Sequence, residues 1–350
     1  MTSEKKHIIP PPLDGPYTSD TFTSIWSQHF ARGLDTMNCD CFEGISFYKK
    51  GRLPVYNNVG ATNTKGIHYC VNPSTMPIAN DNRAYLIYDV PDFGFRREQI
   101  PNGLRLISIP QYEGYICDLA NEGSAEGYLT TNLSSRSRSK LRNYGNKLKK
   151  KYSVEYQMIW GDMPEKEYDA LFEKFHALLV RRFDEKQIVN NNLDPKEWSF
   201  FKDVTLPMMR NKEAGLFVGS VQGNPIAITL LNFSKDHAYD VIRVFDIDFS
   251  EYRIGSLSIV EQIDWCIKNN FKVLDFSKGH FDYKERWSNR SYFLNYHIWY
   301  NPKSLISWGL AQLLATKFKL KYWARRQGIH KGLHKIRYKL GHKPKLKVEQ

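Results

Sequence analysis

Asp246 and Asp275 each stand at or near the end of an apolar run that reads as a strand, and Tyr283 and Lys284 follow shortly after the second. A positioned carboxylate can take a proton from a nucleophile, and a phenol can return one to a leaving group. A fixed ammonium can hold negative charge as it develops. Each residue also has a plain structural use. Asp246 can cap a turn or pair with Arg243, and Asp275 can bond the loop that follows it. Tyr283 can be a half-buried aromatic, and Lys284 half of a salt bridge. Between the two carboxylates, Gly255-Ser256 begin a helical pattern with Arg253 just before them. Backbone N–H groups at a helix start attract an anion, and glycine lets a phosphate approach without a Cβ in the way. The same pair can simply cap the helix.

Other chemistries lack their residues. There is no His/Cys/carboxylate cluster at metal spacing, no Gly-x-Ser-x-Gly elbow and no phosphate-binding P-loop. The five cysteines are an odd number without a Cys-x-x-Cys pair, which suits reduced thiols in a cytosol. No run reaches the ~20 apolar residues that span a bilayer. The first fifteen residues hold charge and proline but no apolar core, so no signal peptide is expected.

The elements that must position these residues fall into two halves. A chain of 350 residues with 41% hydrophobic residues has ample core and a length suited to about two domains. Residues 1–20 are polar and proline-rich and read as a flexible arm. From Trp26 to about Leu129 the pattern is strand-like: a hairpin around Lys49 to Arg52, then the runs Gly66–Val71, Ala84–Val90 and Leu104–Pro110. Residues 121–132 read as a polar boundary. Ser134 or Ser135 can cap a basic helix to about Lys151. Tyr168, Leu171, Phe172, Phe175, Leu179 and Phe183 then recur at helical spacing, flanked by His176 and Arg182. From Gly215 a hairpin with a Gly223-Asn224 turn leads to a third strand, a helix with Ile259, Val260, Ile263 and Ile267 inward, a strand, a short helix and a last strand. The expected domains are 21–130, 131–302 and a tail, 303–350.

Charge is concentrated. The net charge is +13, yet residues 303–350 alone hold thirteen Lys/Arg and one acid. A second basic run, Arg136 to Lys151, has eight bases and no acid. Such segments suit solvated faces or anionic partners. Residues 305–320 would form a helix with an apolar face and a basic border. That face can dock on the protein body, lie on an anionic leaflet, or leave the cations for RNA.

The order of elements resembles the GNAT acyltransferase fold. Phe245-Asp246, Tyr252 to Gly255, Asp275-Phe276 and Tyr283-Lys284 with Trp287 resemble the signature of CelD-type acetyltransferases. The basic helix before Tyr152 and the His176 to Arg182 segment are similar to that family as well. The resemblance covers residues 130–300 well and 25–130 loosely. It implies an α+β fold of tandem GNAT-like halves, with mixed central sheets flanked by helices and a degenerate first half. It also implies acetyl-CoA or another acyl-CoA as co-substrate and no metal. Tyr252, Arg253, Gly255 and Ser256 would then hold that donor. Asp246, Asp275, Tyr283 and Lys284 would be catalytic, and His176 and Arg182 would face the acceptor. The common GNAT loop has Gln/Arg-x-x-Gly-x-Gly/Ala, where this chain has Tyr252-x-x-Gly255-x-Leu257. The family points to a small-molecule or glycan acceptor of envelope or polysaccharide chemistry. The expected location is cytoplasmic, peripheral at the inner membrane face if the tail binds lipid. The related Fem-type enzymes share the tandem plan and would imply aminoacyl-tRNA, and hence RNA, as partner. A GNAT-fold binding protein without turnover is the third alternative.

Overall fold

The structure is a computed structural model that describes residues 15–72, 81–93 and 103–328. The tail residues from Lys331 to Lys347 therefore lie outside the described residues, as do residues 1–14 of the expected arm. Tyr17, within that arm, is buried against Phe22 and Tyr239.

All described strands belong to one mixed sheet. In chain order they are β1 (Thr36–Cys39), β2 (Phe42–Lys49), β3 (Val55–Asn58), β4 (Cys70–Val71), β5 (Ala84–Pro91) and β6 (Arg105–Asp118). The second half adds β7 (Val154–Ile159), β8 (Ala214–Val221), β9 (Asn224–Phe233), β10 (His237–Phe245), β11 (Val273–Lys278) and β12 (Arg290–Tyr300). The sheet order is β1-β2-β3-β5-β12-β6-β11-β10-β9-β8-β7, with β4 beside β2. The last strand thus crosses into the first half and lies antiparallel between β5 and β6. Among the described strands only β3–β5 and β10–β11 pair in parallel.

Among the described residues eight α-helices flank the sheet: α1 (Asp20–Phe30), α2 (Ala125–Asn132), α3 (Ser135–Lys151), α4 (Glu165–Lys186), α5 (Pro195–Arg210), α6 (Ile254–Lys268), α7 (Asp282–Trp287) and α8 (Leu305–Arg326). Three of them correct the sequence reading. Trp26 is helical in α1, capped by the Ser19 side chain, not the start of strand-like chain. The polar boundary at 121–132 contains α2, capped by Ser124. An unforeseen α5 starts at an Asp194 cap with Pro195 in its first turn and carries Pro207 inside. The α3 cap is Ser134, which accepts from the Ser137 N–H.

The α4 helix buries most of the stripe that its periodicity announced, and α6 half of its own. Tyr168, Leu171, Phe172, Phe175 and Leu179 of α4 are buried with Tyr239 and Val244 on one face of the sheet. Full burial of one such side chain is worth about 1.5–3 kcal/mol. Ile259 and Ile263 of α6 pack with Ala238, Leu274 and Phe276 on the other face. The α8 helix covers Leu86, Ile109, Tyr296 and Ile298 at the β5-β12-β6 end. The β8–β9 turn is Gln222-Gly223, both at positive φ, one residue before the expected pair.

Candidate active site

The centre of the sheet opens where β10 meets β11. These strands pair only through His237–Tyr239 and Val273–Asp275, although β10 continues to Phe245 and β11 to Lys278. Beyond Tyr239 and Asp275 they splay. Irregularities mark both edges of the gap. The β10 register against β9 shifts between Asp240 and Ile242, and the β11 register against β6 shifts between Asp275 and Lys278. A bulge leaves an extra residue out of the ladder and re-aims its neighbours. Within the second irregularity Ser277 adopts φ +61°, a left-handed conformation uncommon for a non-glycine residue.

The splay collects charge. Asp240 is nearly buried and accepts from Arg243 Nε at 2.8 Å and Nη2 at 2.6 Å. In a regular strand, residues three apart face opposite sides of the sheet, so this pair needs the bulge between them. Arg243 also donates to Gln262 of α6 at 2.6 Å. Asp275 accepts from the Ser277 N–H at 2.6 Å and from the Tyr292 hydroxyl at 2.7 Å. Burial pushes its carboxyl up to about 6, against the pull of those two bonds, His237 and Lys284. Lys284 donates to the carbonyls of Ser277 at 3.2 Å and Lys278 at 2.8 Å. Burial lowers its ammonium to about 8, against the attraction of Asp240 and Asp275. The Tyr283 phenol is raised chiefly by burial and also by Asp240, while Arg243 and Arg182 pull it back.

The first half braces the end of β11. Lys278 bonds the fully buried Asp89 at 2.6 Å and the Thr62 carbonyl at 3.1 Å. Thr64 holds the same Asp89 oxygen at 2.8 Å. Next to it, half-buried Lys65 is lowered to about 7 by burial first, then by Lys278 and Lys284. Gly114 of β6 lets the Tyr292 ring cross to Asp275. A Cβ there would meet the hydroxyl oxygen at 2.8 Å and the ring carbons closer still.

The residues singled out from the sequence divide. Asp275, Tyr283, Lys284 and Arg182 come together at the splay. Arg182 lies 3.9 Å over the Phe245 ring, and its Nε is buried with no hydrogen-bond partner among the described residues. Burial lowers it, Tyr283 opposes that effect, and Arg243 adds to it. His176 sits apart, its ring 4.9 Å from that of Trp198 on α5. Asp246 caps the 3-10 turn Ile247–Tyr252 through the Asp248 N–H and pairs with Arg181 at 3.0 Å. Arg243, the partner expected for Asp246, is taken by Asp240. Trp287 is buried core, while His280 and His297 bond Tyr115 and Tyr69.

The α6 start lies at the far end of β10. Arg253, exposed and left-handed, stands at its N-cap, and no side chain caps the helix. The Ser caps of α1, α2, α3 and α8 and the Asp cap of α5 have no counterpart there. Ser256 is half-buried at this turn. Tyr252 is buried against Tyr152 and Phe249 and supports the turn from inside. Gly255 has a packing reason of its own, because a Cβ would lie 2.8 Å from the Phe245 ring. The uncapped N–H groups and Arg253 suit an anion. Among the described residues no group of three or more His, Cys, Asp or Glu could hold a metal.

Sequence reasoning passed over Asp240, Asp89, Lys278, Lys65 and Tyr292, and gave Arg243 the wrong carboxylate. One signal was available: two opposite charges inside the otherwise apolar run His237–Phe245. The others converge only through tertiary contacts.

Residues 135–285 match the acetyltransferase (GNAT) domain family, a span that includes α3, the splay and α7 as far as Glu285. No curated protein matches the chain. Among solved structures, FemX has a TM-score of 0.57 at 11% identity, covering 86% of this chain and 95% of that one. L-PGS from Bacillus licheniformis has a TM-score of 0.46 at 13% identity, covering 78% and 85%. A tandem GNAT protein from the clavulanic acid biosynthesis pathway has a TM-score of 0.37 at 9% identity, covering 72% and 77%. By the family match, residues 135–285 are a GNAT-type acetyltransferase domain, set within an α+β fold whose mixed sheet is flanked by helices.

Proposed function

We propose that the protein is a CelD-like transferase that moves an acyl group, acetyl in the first instance, from acyl-CoA to an amine or hydroxyl of a small-molecule or glycan acceptor. The observation that carries this reading is the splay of β10 from β11 with Asp275 and Lys284 inside it, both shifted toward neutrality. A cytoplasmic location fits a thioester donor and the five free cysteines.

Each residue then has a task. The uncapped N–H groups of Ile254 and Gly255, with Arg253, hold the donor's pyrophosphate. The thioester reaches along the splay to the β10 bulge. The acceptor's nucleophile attacks the thioester carbonyl and the carbon–sulfur bond breaks. The acceptor proton passes to Asp275, and Tyr283 protonates the departing thiolate. Lys284 has three donors and spends two on carbonyls, so one remains for charge developing on the carbonyl oxygen. Arg182, Lys65 and Lys278 make the surroundings cationic and favour an acceptor with carboxylate or phosphate groups. Asp246 keeps the strand end and the following turn in place through Arg181.

A second reading, transfer from aminoacyl-tRNA as in Fem-type enzymes, is favoured by one feature. A shallow, open depression of about 600 Å³ on the exposed face of α3 is lined by Asn143, Asn146, Lys147, Lys149 and Lys150. It lies beside the α6 turn, where Lys147 pairs with Glu251 and covers Tyr252. Calorimetric titration with acetyl-CoA, coupled to a thiol-release assay, tests the first reading. Gel retardation with charged tRNA tests the second. Micromolar acetyl-CoA binding without tRNA retention supports the acyl-CoA enzyme, and the reverse result overturns it.

A further inference from the structure

The α8 helix has two apolar faces, and only one of them is covered. Ser307, Ala311, Ala315 and Phe318 are buried on the sheet, with Phe318 stacked 3.9 Å from Tyr296. On the far side, Leu305, Ile306, Trp308, Leu313, Leu320 and Trp323 are between 49% and 85% exposed. Ile306, Leu313 and Leu320 recur every seven residues, so they form one continuous ridge along the helix. Scattered exposed leucines are ordinary, but six large apolar side chains on one helix are a contiguous patch.

Cations border the ridge. Lys317 and Lys321 lie on one flank, and Lys319 and Arg326 on the other, at about 100° per residue. All four are exposed, and α8 contains no Asp or Glu. The sequence beyond the described residues continues the sign: residues 329–350 hold seven Lys/Arg and one acid. No helix among the described residues is long and apolar enough to cross a membrane. An apolar ridge with basic shoulders fits the boundary between acyl chains and anionic headgroups. A protein partner would have to match both a flat apolar stripe and a uniformly positive rim. An anionic leaflet does so without further specification.

We propose that the outer face of α8 docks the protein on an anionic lipid surface, with Leu313 and Leu320 inserted and the lysines at headgroup level. Arg325, at the end of the same helix, bonds the Gln111 carbonyl and lies over Tyr112, whose ring also faces Lys278. The C-terminal end of α8 therefore reaches the cationic side of the splay through its sheet-facing side.

The test uses the full chain in co-sedimentation with phosphatidylcholine vesicles, with and without phosphatidylglycerol, at low and high salt. Binding at least tenfold tighter to the anionic vesicles, weakened by salt, is expected. The double change Leu313→Glu with Leu320→Glu should cost a further tenfold or more while the unfolding midpoint stays unchanged. Quenching of tryptophan fluorescence by brominated anionic lipid, reduced in Trp323→Phe, reports insertion without relying on the Glu variant. Equal vesicle binding by wild type and the double variant, with no quenching, would overturn the proposal and place the contact elsewhere on the protein. A dimer in sedimentation velocity that the double variant dissociates, without vesicle binding, would assign the ridge to a second copy. Retention of RNA without vesicle binding would overturn it as well.

Discussion

Asp275→Asn should separate catalysis from stability, because the wild-type residue is costly to the fold. Its carboxyl is 1% exposed and is pushed from the ordinary 3.8 to about 6. At about 1.4 kcal/mol per pH unit, that rise means the ionised form costs the folded state about 3 kcal/mol at pH 7. Below pH 3.8 both states are protonated and the cost vanishes. Between 3.8 and 6 the folded state binds more protons than the unfolded one, so stability falls as pH rises. Above 6 the loss is complete and constant. Asparagine keeps an acceptor for the Ser277 N–H and a donor for the Tyr292 hydroxyl oxygen, but carries no charge. Urea unfolding of both proteins from pH 4 to 8 should give a difference curve that grows to as much as about 3 kcal/mol in favour of the variant. Turnover in the thiol-release assay should fall about 10²-fold or more if Asp275 takes the acceptor proton. A flat or opposite difference curve would refute the burial argument. A normal curve with wild-type turnover would leave Asp275 a structural group and remove it from the chemistry.

The remaining predictions address its neighbours. Gly114→Ala should lower stability by about 1–3 kcal/mol by overpacking and push Tyr292 off Asp275, read by urea unfolding and a higher acidic limb in kcat/KM. Gly255→Ala should cost a similar amount through Phe245, and adding Phe245→Leu should restore stability if that contact is the cause. Acetyl-CoA affinity measured in the restored double variant then reports on the turn itself. Lys284 loses its proton above about 8, so kcat/KM should fall there if the ammonium is required. Lys284→Arg stays charged and should abolish that alkaline limb, even at a lower plateau; a limb unchanged at 8 would assign it to another group.

Periodicity made the helices of the second half legible, and its limits explain what was missed. The α4 stripe and the Ser134 cap of α3 are local signals, and both hold in the fold. The α5 helix carries one proline in its first turn, where it is tolerated, and a second, Pro207, inside, so its sequence lacks an uninterrupted helical signal. The α1 helix escaped because its aromatic residues fit a strand as well as a helix face. Of the run Gly66–Val71, only Cys70–Val71 is strand. Its neighbours instead carry the loop that brings Thr64 and Lys65 to Asp89. Local pattern cannot announce such a loop, because its reason is a buried charge from another part of the chain.

The convergence at the splay has the same origin. Asp275 and Lys284 are close in sequence and meet through a short turn, so reading them together required no tertiary information. Tyr292 reaches Asp275 only because β12 leaves the second half and pairs along β6. That crossing also lays β12 next to β5, which carries Asp89, the partner of Lys278. One strand placement therefore gives Asp275 its hydroxyl donor and joins the first half to the β11 end. The first half contributes no nucleophile motif of its own. Its Asp89, Thr64 and Lys65 instead fix and charge one wall of the splay, which is why a site lying mostly in residues 135–285 needs the rest of the sheet.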